Sequence, residues 1–133
     1  MNRFLVSITL LAALVCFSST VVSKELIREF KGSTSKATVS FEARAPWIVD
    51  WRVTGDYPGQ MALNANLVNA KTGEHIGKIV TTKYVSNGVR LIDESGTFHF
   101  QVNATLIKQW TLRAEQLTRQ EAKLYKPKEP YKR

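Results

Sequence analysis

From Glu25 to Arg113 hydrophobic and polar side chains alternate in short runs, broken by turn-forming residues roughly every 8 to 12 positions, which is the pattern of half-buried β-strands. Glu25 to Phe30 is a first strand, closed by the small polar loop Lys31 to Lys36. Thr38 to Ala43 sets Val39, Phe41 and Ala43 on one face and Thr38, Ser40 and Glu42 on the other. Pro46 restarts the chain into Trp47 to Thr54, where Trp47, Val49, Trp51 and Val53 share a face opposite Ile48, Asp50, Arg52 and Thr54. Gly55-Asp56-Tyr57-Pro58-Gly59 is a loop, and Met61, Leu63, Ala65 and Leu67 line one side of the next strand. Asn69 to Glu74 has hairpin composition and leads into Ile76 to Tyr84. Asn87-Gly88 is expected to make a tight type I′ turn into Val89 to Ile92, because both residues tolerate a positive φ. After Ser95-Gly96, Phe98, Phe100 and Val102 alternate with Thr97, His99 and Gln101, and the last strand, Ile107 to Arg113, turns Trp110 and Leu112 inward. About eight strands in so short a chain predict an all-β protein, a two-sheet antiparallel β-sandwich.

The N-terminal segment follows a different pattern. A basic Met1-Asn2-Arg3 precedes the apolar run Phe4 to Phe17, with Val21 and Ser23 placed for cleavage before Lys24. Such a run has the length of a signal-peptide core and falls short of the about 20 residues that span a bilayer. Residues 1–23 are therefore expected to be a signal peptide that sends residues 24–133 to the periplasm or outside a bacterial cell. The alternative is an inner-membrane anchor through an uncleaved segment. Cys16, the single cysteine, lies in this segment behind Val15, which is larger than the residue that precedes a lipidated cysteine. The mature chain is then cysteine-free and has to be held together by its core rather than by disulfides.

Composition narrows the chemistry. One cysteine and two histidines supply neither a zinc cluster nor a redox site, and His75 and His99 lack a second ligand at metal-binding spacing. There is no Gly-x-Ser-x-Gly nucleophile turn and no phosphate-cradling glycine loop. The acids Glu42, Asp50, Asp56, Asp93 and Glu94 fall in turns or on outward strand positions, and Asp93-Glu94 offers at most a weak calcium site. No catalytic residue, cofactor or metal is expected, so the chain reads as a binding module rather than an enzyme. The formal net charge of +8 is concentrated late in the chain: residues 105–133 hold eight Lys/Arg against three Glu, and residues 24–104 ten against eight. The sandwich is expected over 24–113, followed by a short basic C-terminal tail, 114–133, partly helical or disordered. Lys123, Lys126, Lys128, Lys132 and Arg133 in that tail suit an envelope protein or an anionic cell-wall or lipid surface. Nucleic acid is not an expected partner of an exported chain.

Trp47, Trp51 and Trp110 are the most conspicuous side chains. Strand parity assigns Trp51 and Trp110 to the core and leaves Trp47, at a strand start, as a partner or sugar-stacking contact; the loop around Asp56-Tyr57-Pro58 and the basic C-terminal segment are the other expected contact regions. Phe30-Lys31-Gly32-Ser33, then Phe41 before Pro46-Trp47-Ile48-Val49-Asp50-Trp51, then Ser95-Gly96-Thr97-Phe98-His99-Phe100-Gln101-Val102-Asn103, then Trp110-Thr111, resembles a family of small exported bacterial β-sandwich domains of unassigned function. These in turn resemble the jelly-roll-like sandwiches of Golgi-dynamics (GOLD) domains and bacterial pre-peptidase C-terminal domains. The resemblance implies a jelly-roll-like fold and a binding or accessory role, without the dense acidic cluster of the calcium-binding relatives. The expected function is thus a non-catalytic exported binding or accessory module of the cell envelope. The alternatives are a carbohydrate-binding module that uses an exposed tryptophan and a small inhibitor of a hydrolase.

Overall fold

A computed structural model describes residues 25–125. Nine antiparallel strands form two packed sheets: β1 (Glu25–Gly32), β2 (Lys36–Ala37), β3 (Phe41–Ala43), β4 (Trp47–Thr54), β5 (Ala62–Asn69), β6 (His75–Thr82), β7 (Ser86–Ile92), β8 (Gly96–Thr105) and β9 (Gln109–Gln116). The first sheet has the order β1-β9-β4-β7 and the second β2-β8-β5-β6, with β3 also paired to β8. The alternation read from the sequence places the inward faces: Val49 and Val53 of β4, Leu63, Ala65 and Leu67 of β5, Phe98, Phe100 and Val102 of β8, and Trp110, Leu112 and Ala114 of β9 are all buried. Phe41 sits at the centre of an aromatic cluster, 5.7 Å from Phe30, 5.6 Å from Trp47 and 5.3 Å from Phe100 between ring centroids. The two sheets and this interior are complete between Glu25 and Leu117, so the segment from residue 24 onward contains an entire hydrophobic folding unit.

Several local expectations are corrected. Of the predicted strand Thr38 to Ala43 only β3, Phe41–Ala43, is strand; residues 38–40 link it to the short β2, and in this link the expected faces are reversed. Thr38 is buried, its backbone N–H donates to Phe100 O (2.9 Å) and its Oγ1 accepts from Phe100 N (2.9 Å), while Val39 is exposed. A side-chain hydroxyl thus does the work of a ladder carbonyl, and the extra backbone length turns Val39 out. Asn87-Gly88 is not a turn. Both residues lie inside β7, and neither has positive φ. β6 and β7 belong to different sheets, so the chain needs a crossing at 83–85 rather than a two-residue hairpin. The expected hairpin at 69–74 is present, with Asn69 N–H donating to Glu74 O and the Asn69 Oδ1 accepting from Lys71 N and Thr72 N.

The last strand runs on past Arg113 to Gln116, and Ala114 and Glu115 are buried within it. Gln116 Nε2 donates to Arg44 O and Pro46 O, both at 2.9 Å, which ties the β3–β4 connection to the end of β9. A single helical turn, α1 (Arg119–Ala122), and a 3-10 turn (Lys123–Tyr125) follow. Thr118 caps α1 with a reciprocal pair, its Oγ1 accepting from Glu121 N while its own N–H donates to Glu121 Oε1. The 3-10 turn lies against β7. Ile48 has the parity of the outer face of the first sheet, yet it is fully buried outside the main core.

Candidate functional site

Strand direction sorts the connections into two poles. Connections 33–35, 55–61, 83–85 and 106–108 meet at one end, and 44–46, 70–74 and 93–95 at the other, together with the start of β1 and the end of β9. At the first pole the loops are tied to one another through backbone. Gly59 N–H donates to Lys83 O (2.9 Å), joining 55–61 to 83–85, and Lys108 N–H donates to Thr54 O (2.9 Å), joining 106–108 to the start of the Tyr57 loop. Inside that loop the Tyr57 carbonyl accepts from both Gln60 N and Met61 N, and the Met61 side chain is fully buried beneath it.

This pole displays apolar side chains to solvent. Tyr57 is 56% exposed, Tyr84 61%, Val85 56% and Leu106 53%. Four large apolar residues thus stand exposed on three loops at one end of the sandwich, and backbone hydrogen bonds tie 55–61 to 83–85 and 106–108 to the end of β4. Lys83 and Lys108 stand beside it, with Lys31 and Lys36 at the ends of the flanking strands, against the single acid Asp56. The opposite loops carry Glu74, Asp93 and Glu94 against Arg44 and Lys71. One end is therefore basic and apolar, whereas at the other the slightly acidic loops are joined by Arg119 and Lys123 of the turns that follow β9.

The sequence-selected contact residues do not come together. Asp56 and Tyr57 are exposed at the loop pole. Trp47 is a correction: it is fully buried, its indole N–H donates to Glu94 O (2.9 Å), and its ring packs on Phe41 and Phe98. A strand-start position was expected to be open, but the connection 93–95 folds over it. Trp110 is fully buried as expected, whereas Trp51 is only half-buried because its neighbour β7 is an edge strand. Lys123 is exposed on the C-terminal 3-10 turn, beyond the end of β9 and away from the loop pole. Lys126, Lys128, Lys132 and Arg133 lie outside the described residues, as does the N-terminal segment with its predicted cleavage site.

Tyr84, Val85 and Leu106 were not selected by sequence reasoning. Tyr84 reads as the end of a strand, since no glycine or proline marks the crossing at 83–85. Leu106 continues the parity of Val102 and Ala104 and so reads as inward, but its φ of 55° turns the chain so that Ile107 takes the buried place. The signal that was available is the pair Leu106-Ile107, two adjacent apolar residues that cannot both face one side of a strand.

The remaining polar faces are occupied by the fold itself. On the outer face of the first sheet Arg113 stands opposite Asp50 in register, but its ion pairs run to Glu115 (3.2 Å) and Glu29 (3.9 Å). On the second sheet Asn66 Nδ2 donates to Asn64 Oδ1 and His75 Nε2 lies 3.1 Å from Asn66 Oδ1. Among the described residues no three His, Cys, Asp or Glu side chains gather as a metal-binding group, and no helix is long and apolar enough to cross a membrane. The residues of the family-like motif, Phe30, Phe41, Trp47, Trp51, Phe98, Phe100 and Trp110, pack in or against the core. No family model, curated protein or solved structure matches the chain.

Proposed function

We propose that this chain is an exported, non-catalytic binding module of the bacterial cell envelope and that it meets its partner through the loop pole. The observation that carries this reading is the patch of Tyr57, Tyr84, Val85 and Leu106, each more than half exposed on loops held by backbone hydrogen bonds. Leaving four such side chains in water forgoes burial that each could gain in a core, on the order of 1.5–3 kcal/mol per residue when complete. A surface of this kind is stabilised only when something covers it. Because the loops are already tied together, little conformational entropy is lost on contact. Export follows from the basic start and the apolar run Phe4 to Phe17.

Photo-crosslinking amino acids placed singly at Tyr57, Tyr84 and Lys71 test the reading in living cells. Lys71 is exposed on the connection 70–74 at the opposite pole and serves as the reference. Adducts from both tyrosine positions and none from Lys71 are expected. No adduct from either tyrosine position, or equal yield from Lys71, would overturn it.

A further inference from the structure

We infer that the loop pole docks on the anionic surface of a phospholipid bilayer. This rests on the reading of that pole as a binding surface and adds the chemistry of what it binds. The four apolar side chains are of the two kinds that a bilayer boundary accommodates: aliphatic Val85 and Leu106 for the acyl region, and Tyr57 and Tyr84, whose rings have an apolar body and a polar hydroxyl, for the headgroup level. They project from three separate loops at the end of the sandwich rather than from the walls of one cleft. Lysines flank them in both chain directions. Lys83 immediately precedes Tyr84-Val85, and Lys108 follows Leu106 by two residues. Lys36 opens the adjacent strand β2. A long lysine side chain reaches phosphate while its neighbour enters the apolar layer.

Charge favours the contact. The loop pole faces a negative surface with Lys83, Lys108 and Lys36 against Asp56, and with Lys31, which is paired with Glu29 (3.6 Å). At the far pole Glu74, Asp93, Glu94 and Glu121 are balanced by Arg44, Lys71, Arg119 and Lys123, so the lysines beside the apolar tips supply the attraction. The start of β1 and the end of β9 are both at the far pole. A protein partner of this pole would need its own complementary groove; the bilayer needs only the apolar tips and cations present here.

The test uses residues 24–133, which contain the complete sandwich, and sedimentation with vesicles of phosphatidylcholine alone or mixed in equal parts with phosphatidylglycerol. Binding to the mixed vesicles is expected to be much stronger than to phosphatidylcholine, and to weaken as salt screens the lysines. Val85→Ser and Tyr84→Ser together should weaken it on the order of tenfold or more, since each removes apolar surface from the inserted tip. Leu106→Asn is the fold-safe variant, because asparagine tolerates the left-handed backbone at that site; it should melt no lower than the parent and still bind several-fold more weakly. Lys83→Gln with Lys108→Gln should remove most of the preference for phosphatidylglycerol.

A chain ending at Tyr125 should bind as well as one ending at Arg133. If that truncation abolishes sedimentation while the Leu106 and Tyr84/Val85 variants bind normally, the basic tail and not the loop pole is the lipid contact, and the inference is wrong. Equal binding to both vesicle types overturns it as well. If the parent sediments with neither and crosslinks from Tyr84 run to a protein, the bilayer is excluded while the loop pole remains a binding surface.

Discussion

Gly32 and Gly88 do the same job on the two edge strands of the first sheet. Gly32 of β1 stands directly across from Trp110 of β9, and Gly88 of β7 directly across from Trp51 of β4. A Cβ added at Gly32 would lie 2.5 Å from Trp110 Cζ2, and one at Gly88 2.6 Å from Trp51 Cζ2. Each indole therefore lies flat over a neighbour that has no side chain, and an edge strand is closed by a ring from the strand beside it. The two sites differ in how far the ring can yield. Trp110 is fully buried and its indole N–H donates to Thr34 O (3.0 Å), so it is held on both sides. Trp51 is half-buried with no hydrogen bond to its indole among the described residues, and it can tilt outward. Gly32→Ala should accordingly lower the unfolding free energy by about 2–3 kcal/mol, the cost of overpacking a closed site, and Gly88→Ala by about 1 kcal/mol or less. Urea denaturation of both variants measures this; an equal loss, or a larger one at Gly88, contradicts the distinction.

At the scale of elements, the strands were legible wherever alternation alone decides the face, and illegible where a neighbour decides it. Asn87-Gly88 has the local composition of a tight turn, yet it continues β7 because Trp51 needs Gly88 opposite it. Trp47 has the position of an open strand start, yet the Glu94 carbonyl and the Phe41 and Phe98 rings close over it. The loop pole was half legible: Gly55, Pro58 and Gly59 announce the Tyr57 loop, but nothing in the local sequence says that the residues around Tyr84 and Leu106 meet it. That depends on which strands pair. The C-terminal segment shows the same dependence. α1 has a single turn, too short to be stable alone, and is fixed by the Thr118–Glu121 capping box and by the 3-10 turn that continues it and lies against β7. Thr118→Ala should cost about 1 kcal/mol or less globally, but it should release α1 locally. Amide exchange is the measurement: faster exchange is expected from Leu117 to Tyr125 and in the neighbouring part of β7, with β5 and β8 unchanged. Uniform acceleration across both sheets would instead mean that this segment is part of the global folding unit.

For the whole molecule, the decisive fact is that the first strand pairs only with the last. Among the described residues β1 pairs with β9 alone, and β9 lies between β1 and β4 at the centre of its sheet. The sandwich cannot close until nearly all of the chain is present, and its contacts are dominated by residues far apart in sequence. Folding is expected in the millisecond-to-second range of such topologies rather than in microseconds. The same arrangement sets the poles, because the antiparallel pairing puts the start of β1 and the end of β9 on the side away from Tyr57 and Tyr84. Two truncations separate centre from edge. A chain from residue 24 that stops at Lys108 lacks β9, so it loses Trp110, Leu112 and Ala114 from the core and leaves β1 with nothing to pair with. It should show no cooperative unfolding transition, since the lost burial of one tryptophan and one leucine alone is worth about 5 kcal/mol or more, comparable to the total stability of a small domain. A chain that begins at Ser33 loses only an edge strand whose side chains are mostly exposed, although Ile27 and Phe30 leave the core with it. That chain should keep a cooperative transition at a lower midpoint. Circular dichroism during denaturation distinguishes the two, and a cooperative transition in the chain lacking β9 would show that β4 and the second sheet hold a core without it.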